Sequence, residues 1–307
     1  MLIKFLKKQY LLKLTKKKLF VWTCDYSENS GEGKLARLFI ENLDDKKNYF
    51  ISFNQKKILN QKYLSTFLGI IYCWKKYLKK QKVCYLNYLP FWNFLIFILL
   101  PPKTILGPIT GGANFSKSNF NSLIIRGLIF PLFYKISEFF LNFRNTKIIF
   151  STDLLKKYLF KSTIKKSNFN FVIKNFSFKK KLKIKKDIDF IIYYRKHKNK
   201  SDFFPYDFIK RLKKYNFTIC VVGEKLNIPS VKNYGYLNNK KINLLQSKAK
   251  YTIVSGENLY SFFILECISN HVKIITKIKM TKKIILFKKK FIKLDFDSPN
   301  SIKKLKR

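Results

Sequence analysis

Short apolar blocks alternate along this chain with amphipathic ones, and glycine- or lysine-bearing polar segments separate them. Residues 19–26 (LFVWTCDY) have the Val, Phe, Trp and Tyr content of a buried strand; the polar loop Ser27 to Gly33 and the helical pattern KLARLFIENL follow. The same reading predicts strands over 48–53, 82–88 and 147–151, a short strand within 102–112 ending in a Gly- and Pro-rich loop, and helices over 62–80 and 123–141. Residues 156–186 are dense in Lys, Ser and Asn, which places a domain boundary near 165.

Beyond it the alternation is cleaner: strands over 189–194, 217–223, 231–235, 251–255 and 272–276, with helices over 205–214, 239–247 and 260–269. Phe208, Ile209 and Leu212 share one helical face. The end reads as a strand and a helix start, with Ser298 as N-cap and Pro299 in the first helical position. Strands separated by single helices imply crossovers and parallel sheets, so the expected fold is α/β. Two Rossmann-like domains, 1–165 and 166–307, facing a cleft are the economical architecture for 307 residues.

Charge changes the picture. Lys and Arg total 64 against 17 acids, a net +47, and only six of the bases are Arg, leaving 64 − 6 = 58 Lys. A/T-rich codons inflate Lys over Arg, yet Glu is equally cheap in such codons, so the shortage of acids stands. Lys is a point charge without the guanidinium fork, which favours diffuse attraction to a polyanion over base reading. An anionic membrane surface is the first candidate partner and RNA the second.

Five scattered cysteines with no CxxC pair indicate neither a zinc site nor a disulfide framework, and a reducing cytoplasm is the default compartment. The basic, amphipathic start lacks an h-region and a cleavage site. The apolar stretch 90–102 falls short of the ~20 residues a spanning helix needs.

Ligands of parallel α/β sheets bind outside the carboxyl ends of the strands, so those handovers carry the candidate chemistry. In the first half they are Gly31, Glu32 and Gly33, and the loop Gly107 to Gly112 with Thr110, Gly111 and Gly112. In the second half they are the cationic run of Arg195, Lys196, His197, Lys198 and Lys200; Gly223; and the segment from Ser255 through Gly256, Glu257, Asn258, Leu259, Tyr260 and Ser261 to Glu266. Cations there can neutralise a diphosphate, loop N–H groups at a helix start can hold phosphate, and a carboxylate can accept ribose hydroxyls. Solvated lysines and plain turns are the competing structural readings. His197 and His271 lack metal-ligand spacing, no acidic cluster exists for a cation, and no cofactor is implied.

The order strand plus Arg195, VVGE, the segment 233–249 and SGENLYSFFILECISN resembles the donor domain of GT-B glycosyltransferases, particularly family-four-like retaining enzymes. Gly107 to Gly112 is similar to the GPxGGG-type loop of such enzymes, and Gly31 to Gly33 takes the place of their first glycine loop. The last element of that family carries two glutamates seven residues apart; here eight residues separate Glu257 from Glu266.

The resemblance implies a metal-independent transferase that moves a sugar from a UDP- or GDP-sugar to a lipid-linked or glycan acceptor at the cytoplasmic face of a membrane. It implies Glu257, Arg195, Gly111 and Gly112 at the reacting centre. Arg195, Lys198, Lys200, Gly223, Gly256, Asn258, Leu259, Tyr260, Ser261 and Glu266 would hold the donor, and Gly31, Glu32, Gly33 and Thr110 would stand on the acceptor side. The segment 1–18 would serve as a membrane anchor. A basic RNA-binding protein and a degenerate glycosyltransferase-like scaffold are the rivals; nucleic acid is the disfavoured partner.

Overall fold

The computed structural model describes residues 17–44, 46, 49–54, 62–112, 124–144, 146–178, 184–196, 204–254, 256–279 and 284–305. They form two compact units, one ending at Asn175 and the other beginning at Phe176.

The first unit contains β1 (Lys17–Trp22), α1 (Gly31–Glu41), β2 (Tyr49–Asn54), α2 (Lys62–Leu78), β3 (Lys82–Tyr85), α3 (Phe94–Leu99) and β4 (Ile105–Leu106). A π-helical stretch (Ile125–Ile129) then runs into α4 (Phe130–Phe143), followed by β5 (Ile148–Ile149), α5 (Lys161–Lys166), β6 (Ser167–Asn168) and α6 (Phe171–Asn175). Every pairing is parallel, in the order β2-β1-β3-β4 and, separately, β5-β6. Ile109 joins the two sets: Ile149 O accepts from its N–H at 2.8 Å, and its carbonyl accepts from Ser151 N at 2.9 Å. The sheet therefore runs β2-β1-β3-β4-β5-β6, and its switch point lies between β1 and β3.

The second unit contains β7 (Ile188–Tyr194), α7 (Tyr206–Lys214), β8 (Ile219–Gly223), β9 (Lys232–Asn233) and α8 (Asn239–Lys248). It continues with β10 (Ala249–Ile253), α9 (Phe262–Ser269), β11 (Lys273–Lys277) and β12 (Phe291–Leu294). The parallel order β12-β11-β10-β7-β8-β9 is that of a dinucleotide-binding sheet, with its switch point between β7 and β10. In α7 the shared face of Phe208, Ile209 and Leu212 is buried, Asp207 lies in the first turn and Arg211, Lys213 and Lys214 in the last, complementing the helix dipole.

Two expectations change. The segment read as a boundary after 165 carries β6 and α6, which complete the first unit: Phe150 N donates to Asn168 O at 2.8 Å, and Phe171 packs on Phe39 of α1. Ser298 is the N-cap and Pro299 opens the element as expected, but that element is a 3₁₀ turn over Pro299–Lys304 without a side-chain capping bond, and the Ser301 hydroxyl donates to Ser298 O at 2.7 Å.

The helix α2 is apolar on both faces. It buries Ser65, Thr66, Ile70 and Cys73, packs Leu68, Tyr72 and Tyr77 against the core, and turns Leu64, Phe67, Ile71, Trp74 and Leu78 outward, with Ile71 62% and Leu78 74% exposed. Gly69 makes room for Trp22, wholly buried in β1: a Cβ there would fall 2.2 Å from its Nε1. α3 packs against α2 and against α4 and exposes Leu95, Ile98 and Leu99, while α4 exposes Leu132, Phe139 and Phe143. Trp74 Nε1 donates to Leu99 O at 2.6 Å. All five cysteines are buried free thiols, and burial pushes Cys73 up to about 12. Among the described residues no helix is long and apolar enough to cross a membrane.

Asp189, at the amino end of β7, ties three strands together. Thr218 N and Oγ1 donate to its Oδ2 at 3.0 and 2.8 Å, and Lys250 Nζ lies 2.9 Å from its Oδ1. Burial raises its pKa, but the hydrogen bonds from Thr218 and Lys250 outweigh burial and hold the carboxyl below its ordinary value. Its contribution to stability is therefore complete above the ordinary carboxylate range and lost as pH falls through the folded value. Asp189→Asn lowers unfolding free energy by about 1–3 kcal/mol at pH 7. Urea titrations from pH 7 to 3 show the two proteins converging as the wild type loses this increment.

Candidate functional site

Parallel pairing brings the carboxyl ends of β7, β8 and β10 to one edge of the second sheet, so Arg195, Gly223 and the 256–261 loop share that edge. Tyr194 and Gly223 are register partners, and Gly223 has φ +101°; a Cβ there would lie 2.3 Å from Tyr194 O. This close approach requires glycine.

Glu224, within the VVGE run but given no role by sequence reasoning, organises the edge. Its N–H donates to Tyr194 O at 3.0 Å; its Oε2 accepts from Lys196 N at 2.7 Å and its Oε1 from Tyr236 Oη at 3.1 Å. Burial raises the pKa of the Tyr193 hydroxyl, Glu224 adds to the rise, and Arg195 opposes it, so the three groups sense one another electrostatically. The Tyr193 ring packs on Phe263 of α9 with centroids 5.6 Å apart. One aromatic contact thus links the Arg195 end of β7 to the start of α9.

Arginine usage marks Arg195 further. Arg37 Nε donates to Tyr26 O at 2.8 Å, Arg144 caps the carbonyls of Phe97 and Leu100 at 2.5 and 2.8 Å, and Arg211 bonds Asp297 O at 3.0 Å. Arg144 and Arg211 thus clamp backbone carbonyls with their forks, while Arg37 adds an ion pair to Glu28 Oε1 at 3.4 Å. Arg195 is exposed and makes no hydrogen bond or ion pair among the described residues.

The 256–261 loop divides into open and structural positions. Gly256 faces open space, and Glu257 and Asn258 are half-buried. Leu259 and Tyr260, expected to touch the donor, are core residues, 3% and 7% exposed. The Tyr260 hydroxyl accepts from Ile285 N at 2.8 Å and Leu286 N at 2.9 Å and donates to Leu286 O at 3.1 Å, pinning the following loop. Asn258 Oδ1 accepts from Tyr260 N at 2.9 Å, and Ser261 is the N-cap of α9 through Ile264 N at 3.5 Å. Glu266 is half-buried in the second turn of that helix. His197, Lys198, Lys200 and Ser255 lie outside the described residues, as do residues 1–16 of the expected anchor; Lys17 and Lys18 begin β1 instead.

In the first unit the carboxyl edge is built around Asn87, buried at 2% exposure and missed in the sequence. Its Oδ1 accepts from Cys24 N at 2.8 Å and Asp25 N at 3.4 Å; its Nδ2 donates to Asp25 O at 2.9 Å and Glu32 O at 3.3 Å. A lone amide ending the apolar strand was the available signal. Gly33 N donates to the Ser30 cap at 2.8 Å, and a Cβ on Gly33 would meet Ser27 O at 2.1 Å, so the second glycine of this loop is structural. Gly31 faces open space, and Glu32 is half-buried beside it.

The Gly107 to Gly112 loop is largely strand continuation. Thr110 N donates to Leu89 O and Thr110 O accepts from Phe91 N, both at 2.9 Å. Gly111 abuts Leu155, and Gly112 O accepts from Tyr134 Oη at 3.2 Å. These glycines belong to the first unit, Arg195 and Glu257 to the second.

No protein-family model matches the chain, and no curated protein matches it in sequence. Among solved structures it is similar to WaaG, a glycosyltransferase involved in lipopolysaccharide biosynthesis, with a TM-score of 0.51 at 10% identity over 94% of this chain and 89% of that one. A UDP-GlcNAc 2-epimerase from Neisseria meningitidis bound to UDP-GlcNAc gives a TM-score of 0.46 at 11% identity over 93% and 89%. The fold is GT-B-like: two Rossmann-like α/β units with parallel sheets.

Tyr260→Phe separates structural from ligand roles. It leaves the Ile285 and Leu286 N–H groups without their acceptor, which lowers stability by about 0.5–1.5 kcal/mol, seen as a lower urea midpoint at unchanged m. Nucleotide affinity stays within about twofold of wild type. Lost affinity at unchanged stability would instead make Tyr260 a ligand contact.

Proposed function

We propose that this chain is a glycosyltransferase that moves a sugar from a nucleotide-diphosphate sugar to a lipid-linked or cell-surface polysaccharide acceptor, working against the cytoplasmic leaflet. The observation that carries the reading is Arg195, a guanidinium with no hydrogen bond or ion pair among the described residues, at the switch-point edge of a dinucleotide-binding sheet. The WaaG-like fold supports it.

In this mechanism Arg195 takes the diphosphate in bidentate fashion and stabilises the charge that develops as the sugar bond breaks. Glu224 holds the loop that presents it by accepting from Lys196 N. The 256–261 loop offers N–H groups at the start of α9, and Glu266 accepts the ribose hydroxyls. Glu257 faces the sugar. In this reading cationic side chains take the place of a metal at the leaving group, so transfer is metal-independent, and the sugar moved is a hexose.

The membrane part of the reading rests on the exposed apolar face of α2. Leu64, Phe67, Ile71, Trp74 and Leu78 recur at alternating three- and four-residue intervals along its outer face, beside α3 and α4, with Lys75 and Lys76 in its last turn. Apolar side chains beside cations are what insertion into an anionic interface requires. The basic RNA-binding and degenerate-scaffold readings are outcomes of the test below.

Thermal-shift and calorimetric titration with UDP, GDP, CMP and ADP, with and without Mg²⁺, should show saturable, metal-independent stabilisation by one of them. Arg195→Ala weakens that binding about 10- to 100-fold, matching the loss of a charge-assisted hydrogen bond, and Glu266→Gln weakens it too. Stabilisation by none, with salt-sensitive RNA binding instead, would overturn the reading; binding without sugar transfer would indicate the scaffold. Vesicle co-sedimentation tests the second part: anionic vesicles retain the protein better than neutral ones, and Ile71→Glu/Leu78→Glu releases it. Equal retention of both proteins would remove α2 from the membrane contact.

A further inference from the structure

The first unit also has a cavity of about 450 Å³ at the opposite pole of its sheet. Tyr49, Lys82, Ile105 and Lys147 line it, and they lie at or just before the amino ends of β2, β3, β4 and β5. The glycine loop and Asn87 stand at the carboxyl edge, so this cavity is a separate place. Its size falls in the ~300–1,000 Å³ range of small-molecule sites.

Three observations define what it would hold. The first is charge. Lys82, Lys103, Lys147 and Lys174 line it with Asp44 as the single carboxylate, a balance of 4 − 1 = +3. Asp44 is already engaged by Lys147 at 2.8 Å, and Lys82 Nζ lies 2.5 Å from Tyr49 Oη. The Lys103 and Lys174 ammonium groups have no partner among the described residues. The second is the wall: Phe39 and Phe171, ring centroids 5.8 Å apart and planes inclined at 50°, together with Phe169 give an aromatic surface. The third is Thr146 Oγ1, which is buried and lacks a hydrogen-bond partner among the described residues. A buried hydroxyl left unpaired is costly and calls for an acceptor.

We propose that this cavity binds a small organic anion with a planar apolar body, of the aryl phosphate class. The phosphate sits between Lys103 and Lys174, and the ring lies on the phenylalanine wall. The inference is independent of the transferase reading, because none of its residues belongs to the second unit.

The probe is 1-naphthyl phosphate, titrated calorimetrically into the full chain, with inorganic phosphate for comparison. Saturable 1:1 binding is expected, about tenfold or more tighter than inorganic phosphate. Lys103→Gln/Lys174→Gln weakens it at least tenfold; both residues are exposed and their ammonium groups have no partner among the described residues, so the fold and the nucleotide response of the second unit persist. Arg195→Ala leaves naphthyl phosphate affinity unchanged, which separates this site from the nucleotide site. No saturable binding, equal affinity for inorganic phosphate, or full affinity in the double lysine variant would each overturn the proposal.

Discussion

Parallel pairing is the constraint on which the rest of this molecule depends. Because every paired strand of a sheet runs in the same direction, each must hand over to its loop at the same edge, and side chains distant in sequence meet there without any direct attraction between them. Arg195, Glu224 and Glu257 are joined in this way, as are Asn87 and the glycine loop. The two sheets differ in order, β2-β1-β3-β4-β5-β6 against β12-β11-β10-β7-β8-β9, so each has its own switch point and its own polar organiser. A buried amide serves one and a glutamate the other.

The fold class was legible because long β-branched and aromatic runs such as 189–194 and 219–223 are bounded by helices of clear 3.6-residue period. What escaped was short or polar. β6 is only Ser167–Asn168, and it pairs through its backbone, which leaves no hydrophobic signature. The Gly-Pro-Ile-Thr-Gly-Gly run looked like a loop because glycine and proline usually punctuate, yet Ile109 and Thr110 continue a strand. At the candidate edge, spacing does not say which way a side chain faces. Tyr260 and Leu259 lie beside the edge and face the core, a distinction of side-chain direction that one-dimensional spacing does not carry. Asn87 and Glu224 gather bonds from residues far from them in sequence, so their importance is visible only once the sheets are assembled.

The economy of arginine is physical as well as compositional. Fifty-eight lysines supply a diffuse field, 64 − 6, while Arg144 and Arg211 are spent on backbone carbonyls that need two donors in one plane, and Arg37 joins one carbonyl to the Glu28 carboxylate. A lysine in place of Arg144 or Arg211 would satisfy one carbonyl and desert another. Among the described residues the chain thereby keeps its long-range charge and its local clamps largely in different residue types, and Arg195, which clamps none of the described carbonyls, stands out against both.

The outward side chains of α2 set how this protein behaves while it is alone in water. Its positive charge keeps copies apart, and its apolar stripe favours bringing them together; both act at once on the same surface. Added electrolyte shortens the reach of the repulsion without weakening the apolar attraction, and sulfate or phosphate strengthens it. Colloidal lifetime is thus governed by the ionic medium rather than by unfolding, and a folded molecule can be lost to self-association while every hydrogen bond inside it remains intact.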